Sequence, residues 1–372
     1  MVADPAGLAQ TAAQFSGRSV IAVDLEADSM YHFREKVCLL QMATAEESVV
    51  IDPLAVPDLS VLAPLFARPD ICKVFHGADY DVRSLYRDFG IAIDNLFDTQ
   101  IAATFLGFTE TGLDGMLRQC FGIQLDKKFQ KKDWSRRPLP EEMVSYAARD
   151  VLYLEMLAER LRTELEAKGR LDWVMEECDL LRQVRPPEPD DSPLFLRFKG
   201  AGRLDRRSLA VLEALLQLRT AIAARKDRPL FKVFGNGDLL TLVRERPATP
   251  EALAACKALS AKQIAIHGES VLAAIDRALS LPPNRLPLYP RQRPRPAAAE
   301  VPDRIAALRA WRDRQARKLG LDPAVLFNKA QLAAIAREYP RRLEELRQIP
   351  EIRRWQANSF GRNILAVLRK TP

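Results

Sequence analysis

Hydrophobic and polar positions come in short alternating runs over the first part of the chain. Ser19–Leu25 is an apolar run that ends on carboxylates, and Val37–Ala43 (VCLLQMA) and Ser48–Ile51 (SVVI) follow, set apart by polar turns. Apolar runs of this length between turn residues predict three short strands in a meander. Lys73–His76 (KVFH) predicts a fourth strand, after which Gly77 opens a helix to about Asp88. Asp98 reads as the N-cap of a helix that ends before Gly107, and Leu113–Cys120 predicts another ahead of Gly122. From about Pro140 to Lys168 the apolar positions Met143, Ala147, Val151, Leu154 and Leu157 recur at threes and fours, predicting one long amphipathic helix. Strands first and helices after make the front half α/β or α+β.

Two proline-rich stretches divide the chain. Arg185–Pro193 (RPPEPDDSP) is acidic and reads as a connector. Leu281–Pro302 holds seven prolines, is basic and reads as a second, stiff linker. Beyond the first linker the pattern is helical, and it repeats. Leu239 and Leu332, Pro247 and Pro340, Leu259 and Ile352, Gly268 and Gly361, and Leu272 and Leu365 are each 93 residues apart. Five positions with one offset mark two copies of a small helical module. Each reads as a helix, a Pro-bearing loop (Pro229, Pro323), a helix ending at Pro247 or Pro340, a helix, then the glycine and a final helix. Both linkers read as hinges, so the pattern leaves the placement of the modules open.

The chain has 372 residues, enough for two to four domains at about 100–200 residues each. With 48% hydrophobic and 28% charged residues it is ordinary globular material, which excludes a disordered chain, a collagen-like fibre or one long coiled coil. The absence of an uncharged apolar run of about 18 residues argues against a membrane-spanning helix, and Met1–Phe15 lacks the pattern of a secretory signal. Five scattered cysteines without a CxxC predict free thiols in a reducing cytoplasm, and three dispersed histidines argue against a zinc site. The net charge is +7, but residues 1–190 carry 21 Lys and Arg against 32 Asp and Glu, while residues 191–372 carry 35 against 17. In the basic half 27 of the 35 cations are Arg, suited to forked phosphate recognition. A basic module points to a polyanion, nucleic acid above all, with a solvated Arg-rich face as the plain alternative.

The chemistry lies in carboxylates. Asp24 and Glu26 stand in VDLEAD at the end of the first predicted strand, where residues two apart face the same side. Asp81 follows the fourth strand in FHGADYDVRSL, with Asp79 beside it as a possible helix cap. Tyr146 and Asp150 are four apart on the predicted long helix, on a face bordering its apolar stripe. Singly, each has a bland explanation: solvated acids at a strand end, a packed tyrosine, an aspartate paired with Arg149 or near Arg160. Together they form an order: D-x-E on a strand, Asp at a strand-to-helix junction, Y-x-x-x-D on a later helix.

That order resembles the DEDD exonucleases in their Tyr-bearing branch. More specifically, VDLEADSMYHFREKVCLLQMA, FHGADYDVRSLYRDFGI, NLFDTQIAATFLG and LDKKFQKKDWSRRPLPEEMVSYAARDVLYL resemble segments of ribonuclease D, in the right order over about residues 18–180. The two repeats resemble HRDC domains, the second more faintly. The resemblance implies a ribonuclease H-like α/β exonuclease domain with a mixed sheet over residues 1–190, then two small all-α HRDC-type domains over 200–282 and 299–372. It implies a 3′→5′ exoribonuclease with two divalent ions, Mg²⁺ or Mn²⁺, releasing nucleoside 5′-monophosphates. In that reading Asp24 bridges both ions, Glu26 and Asp150 hold the one that activates water, Asp81 helps hold the other, and Tyr146 orients the water. Carboxylates are the ligands hard divalent cations require. The expected partner is RNA with a free 3′ end, by family default tRNA precursors, although the segment after Glu26 and FHGADYDV look closer to the nuclear exosome exonucleases. The expected state is a monomer. A DNA exonuclease and a non-catalytic RNA-binding scaffold are the alternatives, the second weakened by the four intact acids.

One basic cluster interrupts the acidic half: Lys127, Lys128, Lys131, Lys132, Arg136 and Arg137, with Phe129 and Trp134 between them. It resembles a single-strand path with phosphate contacts and possible stacking, and Lys127, Lys128, Lys131, Trp134 and Arg137 are its candidate RNA contacts; a solvated basic loop with Trp134 packed inward is the equally open alternative. His76 reads as a packing residue at a strand end rather than a ligand.

Overall fold

The predicted apolar runs of the front half pair into a five-stranded mixed sheet. The computed structural model describes residues 1–188, 190–290 and 300–371, so Pro189 of the first predicted linker and residues 291–299 of the second lie outside the described residues. After helix α1 (Pro5–Phe15) come β1 (Val20–Ala27), β2 (Val37–Ala43), β3 (Ser48–Ile51), a short α2 (Ala63–Phe66), β4 (Cys72–Phe75), α3 (Asp79–Phe89), β5 (Leu96–Asp98), α4 (Thr99–Leu106) and α5 (Leu113–Phe121). The strand order is β3-β2-β1-β4-β5. β1, β2 and β3 pair antiparallel, as the meander required, while β4 and β5 add parallel on the far side of β1. Every residue of β2 is buried, which explains why VCLLQMA is continuous rather than alternating. β5 is three residues long and was not legible as a strand.

The predicted long helix is two. α6 (Glu141–Leu152) and α7 (Leu154–Ala167) are separated at Tyr153, whose φ of −101° and ψ of −3° leave the helical region. The apolar stripe continues across the break, from Met143, Ala147 and Val151 to Leu154 and Leu157, so periodicity alone gives no sign of it. α6 lies on β1, β2 and β3, and α7 reaches β1 and β4. α8 (Leu171–Leu181) closes the domain.

The repeat holds for four helices per module, with one extra short helix, Pro323–Leu326, in the Pro-bearing loop of the second, where the first has the 3-10 turn Leu230–Lys232, and the repeated glycine lies within the last helix of each. The first module is α9 (Arg206–Lys226), α10 (Asn236–Glu245), α11 (Pro250–Ala255) and α12 (Ala261–Leu279); the second is α13 (Val301–Leu319), α14 (Pro323–Leu326), α15 (Lys329–Glu338), α16 (Leu343–Arg347) and α17 (Arg354–Arg369). α10 and α15 both end on a residue with φ of 48°, Arg246 and Tyr339, again 93 apart. The repeated glycines have a packing reason. A Cβ on Gly268 would lie 3.4 Å from Leu253 Cδ2, and one on Gly361 would lie 3.4 Å from Leu346 Cδ2 and 2.4 Å from Leu343 Cδ1. In each module the last helix thus takes the short preceding helix directly against its backbone.

The described residues form two compact units. One unit joins the sheet domain and the second helical module. Trp173 on α8 stacks on Trp355 of α17 with centroids 4.7 Å apart, and Phe105 meets Trp355 edge-on at 5.4 Å. Glu176 accepts hydrogen bonds from the backbone N–H groups of Arg354 (2.7 Å) and Trp355 (2.8 Å), capping α17 with a carboxylate from another domain. Arg170 donates to Phe105 O and Leu319 O at 2.8 and 2.7 Å. The sequence leaves the placement of the second module open; in the structure it shares one core with the sheet domain.

The other unit is the first module together with residues 28–36, the loop that follows β1. Phe33 packs against the module's core. Asp227, at the C-cap of α9, accepts from the Phe33 backbone N–H at 3.0 Å and meets His32 Nδ1 at 2.6 Å. Lys232 lies over the Tyr31 ring at 4.3 Å. Among the described residues no helix is long and apolar enough to cross a membrane, and all five cysteines are free.

Candidate active site

β1 carries Ile21, Ala22 and Val23 into the core and then delivers Asp24 and Glu26, both half-buried, at its carboxyl end. β4 runs parallel to it, and its carboxyl end leads through His76–Ala78 into α3, where Asp81 is 7% exposed. Carboxyl ends of adjacent parallel strands are where α/β sheets place ligands. The turn between β4 and α3 is shaped by Asp98, 1% exposed, which accepts from Gly77 N (3.0 Å) and Ala78 N (2.7 Å) as well as capping α4 through Gln100 N (2.7 Å) and Ile101 N (3.2 Å). The N-cap was legible from sequence; its second task, fixing the turn that aims Asp81, was not. Gly77 has φ of +78°, and a Cβ there would come within 2.9 Å of Gln100 Oε1, so only glycine suits the turn. Asp79 does not cap α3 by its side chain; it pairs with Arg83 at 2.9 Å.

The four acids share one electrostatic neighbourhood. Burial pushes the Glu26 carboxyl well up, and the charges of Asp24, Asp150 and Asp81 push it further. Asp81 is raised by burial and then by Asp24 and Asp98. Burial raises Asp24 to about 6, against a backbone hydrogen bond that lowers it. Asp150 is raised to about 7 by burial and then by Asp24, with a hydrogen bond from Tyr146 acting the other way. No cation figures among these influences, and neither Arg149 nor Arg160 pairs with Asp150; Arg160 pairs with Glu164. Tyr146 is itself held above its ordinary value by burial and by Asp150, Glu26 and Asp24, so its hydroxyl is a donor throughout the neutral range. Among the described residues no three acids, histidines or cysteines are gathered as tightly as a finished metal cage. The donor set nonetheless fits hard divalent cations: four partly desolvated carboxylates that raise one another's pKa, with no cation among the described residues balancing them.

A cavity of about 330 Å³ is lined by Asp24, His76, Lys127, Tyr146 and Asp150, and a neighbouring one of about 640 Å³ by Lys128, Phe129, Glu142, Tyr146 and Asp150. His76 Nδ1 lies 2.8 Å from Thr99 Oγ1, which donates to Phe75 O at 2.9 Å. Burial lowers the imidazole pKa, leaving it neutral and structural, on the wall of the site.

The basic loop is not the stacking platform that its sequence suggested. Trp134 is 1% exposed and packs with Cys38, Leu39, Val50, Met143 and Ala147, so it cannot stack on a base. Arg137 is also structural: it grips Asp52 through two hydrogen bonds of 2.7 and 2.6 Å and reaches Trp134 O and Cys38 O. Asp52 lies 85 residues away, beyond any local pattern. Phe129 and Trp134 instead surround Tyr146, with ring centroids at 5.7 and 6.1 Å, and so fix its ring. Lys127 pairs with Asp114 at 3.2 Å and Lys128 with Glu142 at 3.1 Å, both at the cavity rims, while Lys131 is exposed on the same loop.

Sequence reasoning missed Gln41. It faces Asp24 across the β1–β2 ladder, is 0% exposed, and neither of its amide atoms has a hydrogen-bond partner among the described residues. A glutamine inside an otherwise apolar, fully buried strand was the available signal.

A mixed sheet with acids at the ends of β1 and β4 and a Tyr-x-x-x-Asp helix above them defines an exonuclease-type nuclease domain. The 3′-5′ exonuclease family profile matches residues 1–166, and the HRDC domain profile matches residues 208–275 and 302–368. The chain is 33% identical over 285 residues to ribonuclease D of Shewanella sp. (strain ANA-3), covering 76% of this chain and 73% of that one, and 30% identical over 350 residues to ribonuclease D of Granulibacter bethesdensis, covering 93% and 87%. The crystal structure of Escherichia coli RNase D superposes with a TM-score of 0.74 at 26% identity, over 100% of this chain and 99% of that one. The chain belongs to the ribonuclease D family. It is also 36% identical over 249 residues to mouse exosome complex component 10, where the match covers 64% of this chain but only 28% of the longer protein.

Proposed function

We propose that this chain is a divalent-metal-dependent 3′→5′ exoribonuclease that removes nucleoside 5′-monophosphates singly from RNA, including the trailing ends of structured precursors such as tRNA. The observation that carries the reading is the electrostatic coupling of Asp24, Glu26, Asp81 and Asp150, whose carboxyls are all held above their ordinary pKa, with Asp24 and Asp150 lining one cavity. These four residues would hold two Mg²⁺ or Mn²⁺ ions, which supply shielding for charge developing on the phosphate and a nucleophile available at neutral pH. Tyr146, kept protonated and fixed between Phe129 and Trp134, donates its one O–H to Asp150, so its oxygen would orient the attacking water by accepting a hydrogen bond from it. It cannot serve as the base. Water oxygen bonds to phosphorus as the bond to the preceding 3′-oxygen breaks; that oxygen leaves protonated, and the released nucleotide keeps the phosphate on its 5′ carbon.

Lys127 and Lys128 stand at the cavity rims, their exposed ammonium groups paired with a partly buried Asp114 and an exposed Glu142. Exposed pairs are weak, so both ammonium groups are available to exchange their carboxylates for backbone phosphates, with Lys131 beside them. The basic helical half supplies phosphate affinity that the acidic catalytic half lacks, which makes binding steeply salt-dependent. The test is digestion of 5′-labelled RNA with a single-stranded 3′ tail, in Mg²⁺, in Mn²⁺ and in EDTA, beside Asp24→Asn. A ladder shortening from the 3′ end, dependent on metal and lost in the variant, is the expected result. Cleavage in EDTA, or none under any metal, would overturn the proposal.

A further inference from the structure

Where the sheet domain meets the second helical module, within one compact unit, there is a cavity of about 480 Å³. Its size is that of a small-ligand site. It shares one wall residue, Gln100, with the cavity that holds Asp24 and Asp150. The lining is neither acidic nor basic on balance: its two charged residues, Glu177 and Arg353, pair with each other at 3.3 Å. Its inner amides are occupied. Gln331 donates to Glu351 O at 2.8 Å, and Gln356 donates to Leu326 O at 2.5 Å. Others are free. Among the described residues the Gln100 amide and the Thr111 hydroxyl make no hydrogen bond, and the Asn328 side chain uses only its oxygen, accepting from Gln331 N at 3.0 Å while capping α15. Ile101, Phe105 and Val325 supply apolar surface between these groups.

Free amide donors and acceptors beside apolar walls, with no net charge, are a poor match for a phosphate and a good match for the edge and faces of a nucleobase. We propose that this cavity binds an unstacked nucleobase of the RNA strand whose 3′ end lies in the catalytic cleft, so that the second helical module forms part of the substrate path rather than a separate RNA-holding appendage. The proposal rests on the exoribonuclease reading and extends it to a second subsite. A released nucleotide offers the same base chemistry, and the test separates the two sources.

Two variants leave the fold intact. Asn328→Asp keeps a good helix cap while replacing the free amide donor with a charge that repels RNA. Ala324→Trp, at an exposed position on the rim, fills the cavity. Each is compared with the parent full-length enzyme on a dinucleotide, the shortest cleavable strand, and on a longer single-stranded RNA. The expected result is a rise of at least about fivefold in KM for the longer RNA, with its kcat and all dinucleotide kinetics unchanged. An unchanged KM for the longer RNA overturns the proposal. So does a change confined to inhibition by added nucleoside 5′-monophosphates, which would assign the cavity to product. If the parent cleaves neither substrate, the exoribonuclease reading fails instead. The cavity is then read directly by photocrosslinking of 4-thiouridine RNA, expected on the peptide containing Asn328 in the parent and absent in Ala324→Trp; equal crosslinking in both overturns it.

Discussion

Asp24→Asn should stabilise the metal-free protein at pH 8 and abolish its stabilisation by divalent ions. Asp24 is half-buried, faces other carboxylates, and has its pKa raised from 3.8 to about 6. That rise corresponds to about 3 kcal/mol in favour of the neutral form. The sign follows from linkage: a folded-state pKa above the unfolded value favours the fold below about pH 4, and the advantage disappears as pH rises through about 6. At pH 8 the ionised carboxylate therefore works against the fold, and an isosteric amide removes both the ionisation cost and the repulsion felt by Glu26 and Asp81. Denaturation of EDTA-treated protein should show the variant about 1–3 kcal/mol more stable than the parent at pH 8, with the gap shrinking toward pH 5. Adding Mg²⁺ should raise the melting temperature of the parent at pH 8 and leave the variant nearly unmoved, because the bound ion converts repulsion into ligation. A variant less stable than the parent at pH 8 would refute the reasoning, since it would mean that a donor or cation already compensates the Asp24 charge.

Other substitutions probe the supports of the site. Asp98→Ala removes a carboxylate that accepts from four backbone N–H groups; it should cost about 2–4 kcal/mol and lower activity along with stability, read by urea melts and turnover. Tyr146→Phe keeps the ring among Phe129 and Trp134, so kcat should fall with little change in divalent-ion affinity, and the parent's rate should show no loss from tyrosine ionisation up to pH 10. Gln41→Met replaces a buried amide without hydrogen-bond partners and should stabilise the metal-free fold by about 1 kcal/mol; a loss of stability would show that the amide is bonded. Trp355→Ala breaks the stack on Trp173 and the 2.9 Å hydrogen bond to Glu177; it should cost about 3–5 kcal/mol and expose the junction of α8 and α17 to limited proteolysis.

What was legible in the sequence was what depends on neighbours in the chain or on exact spacing. The strands of the meander, the Asp98 cap and the 93-residue repeat are of this kind, the last because Gly268 and Gly361 must each admit a leucine against their backbone. The candidate acids were legible only jointly, since nothing local distinguishes Asp150 from a surface aspartate. What was lost depends on partners far along the chain. Trp134 reads as a stacking residue until Cys38, Leu39 and Met143 are seen around it, and Arg137 reads as a phosphate contact until Asp52 is found in its fork. The break at Tyr153 is invisible because the apolar stripe runs through it unchanged. The docking of α17 rests on Glu176 and Trp173, far upstream of their partners, so the sheet domain and the second module form one body although the first module lies between them in the chain.

The loop of residues 28–36 alters what it means to remove the first helical module. The chain leaves the catalytic unit just after Ala27, one residue beyond Glu26, returns at Val37, leaves again after Pro186 and returns before Glu300. The module is therefore stitched in by two excursions of the polypeptide, not hung from one, and the first excursion starts on the strand that bears Asp24. Cutting out residues 187–293 would strip Tyr31, His32 and Phe33 of Asp227, Lys232 and the core they pack on, leaving an orphaned loop spliced between β1 and β2. Lost activity in such a truncation would report on the geometry of the strand that bears Asp24 and Glu26 as much as on any loss of RNA affinity. The cleaner experiment neutralises the module's arginines in place and keeps the stitches intact.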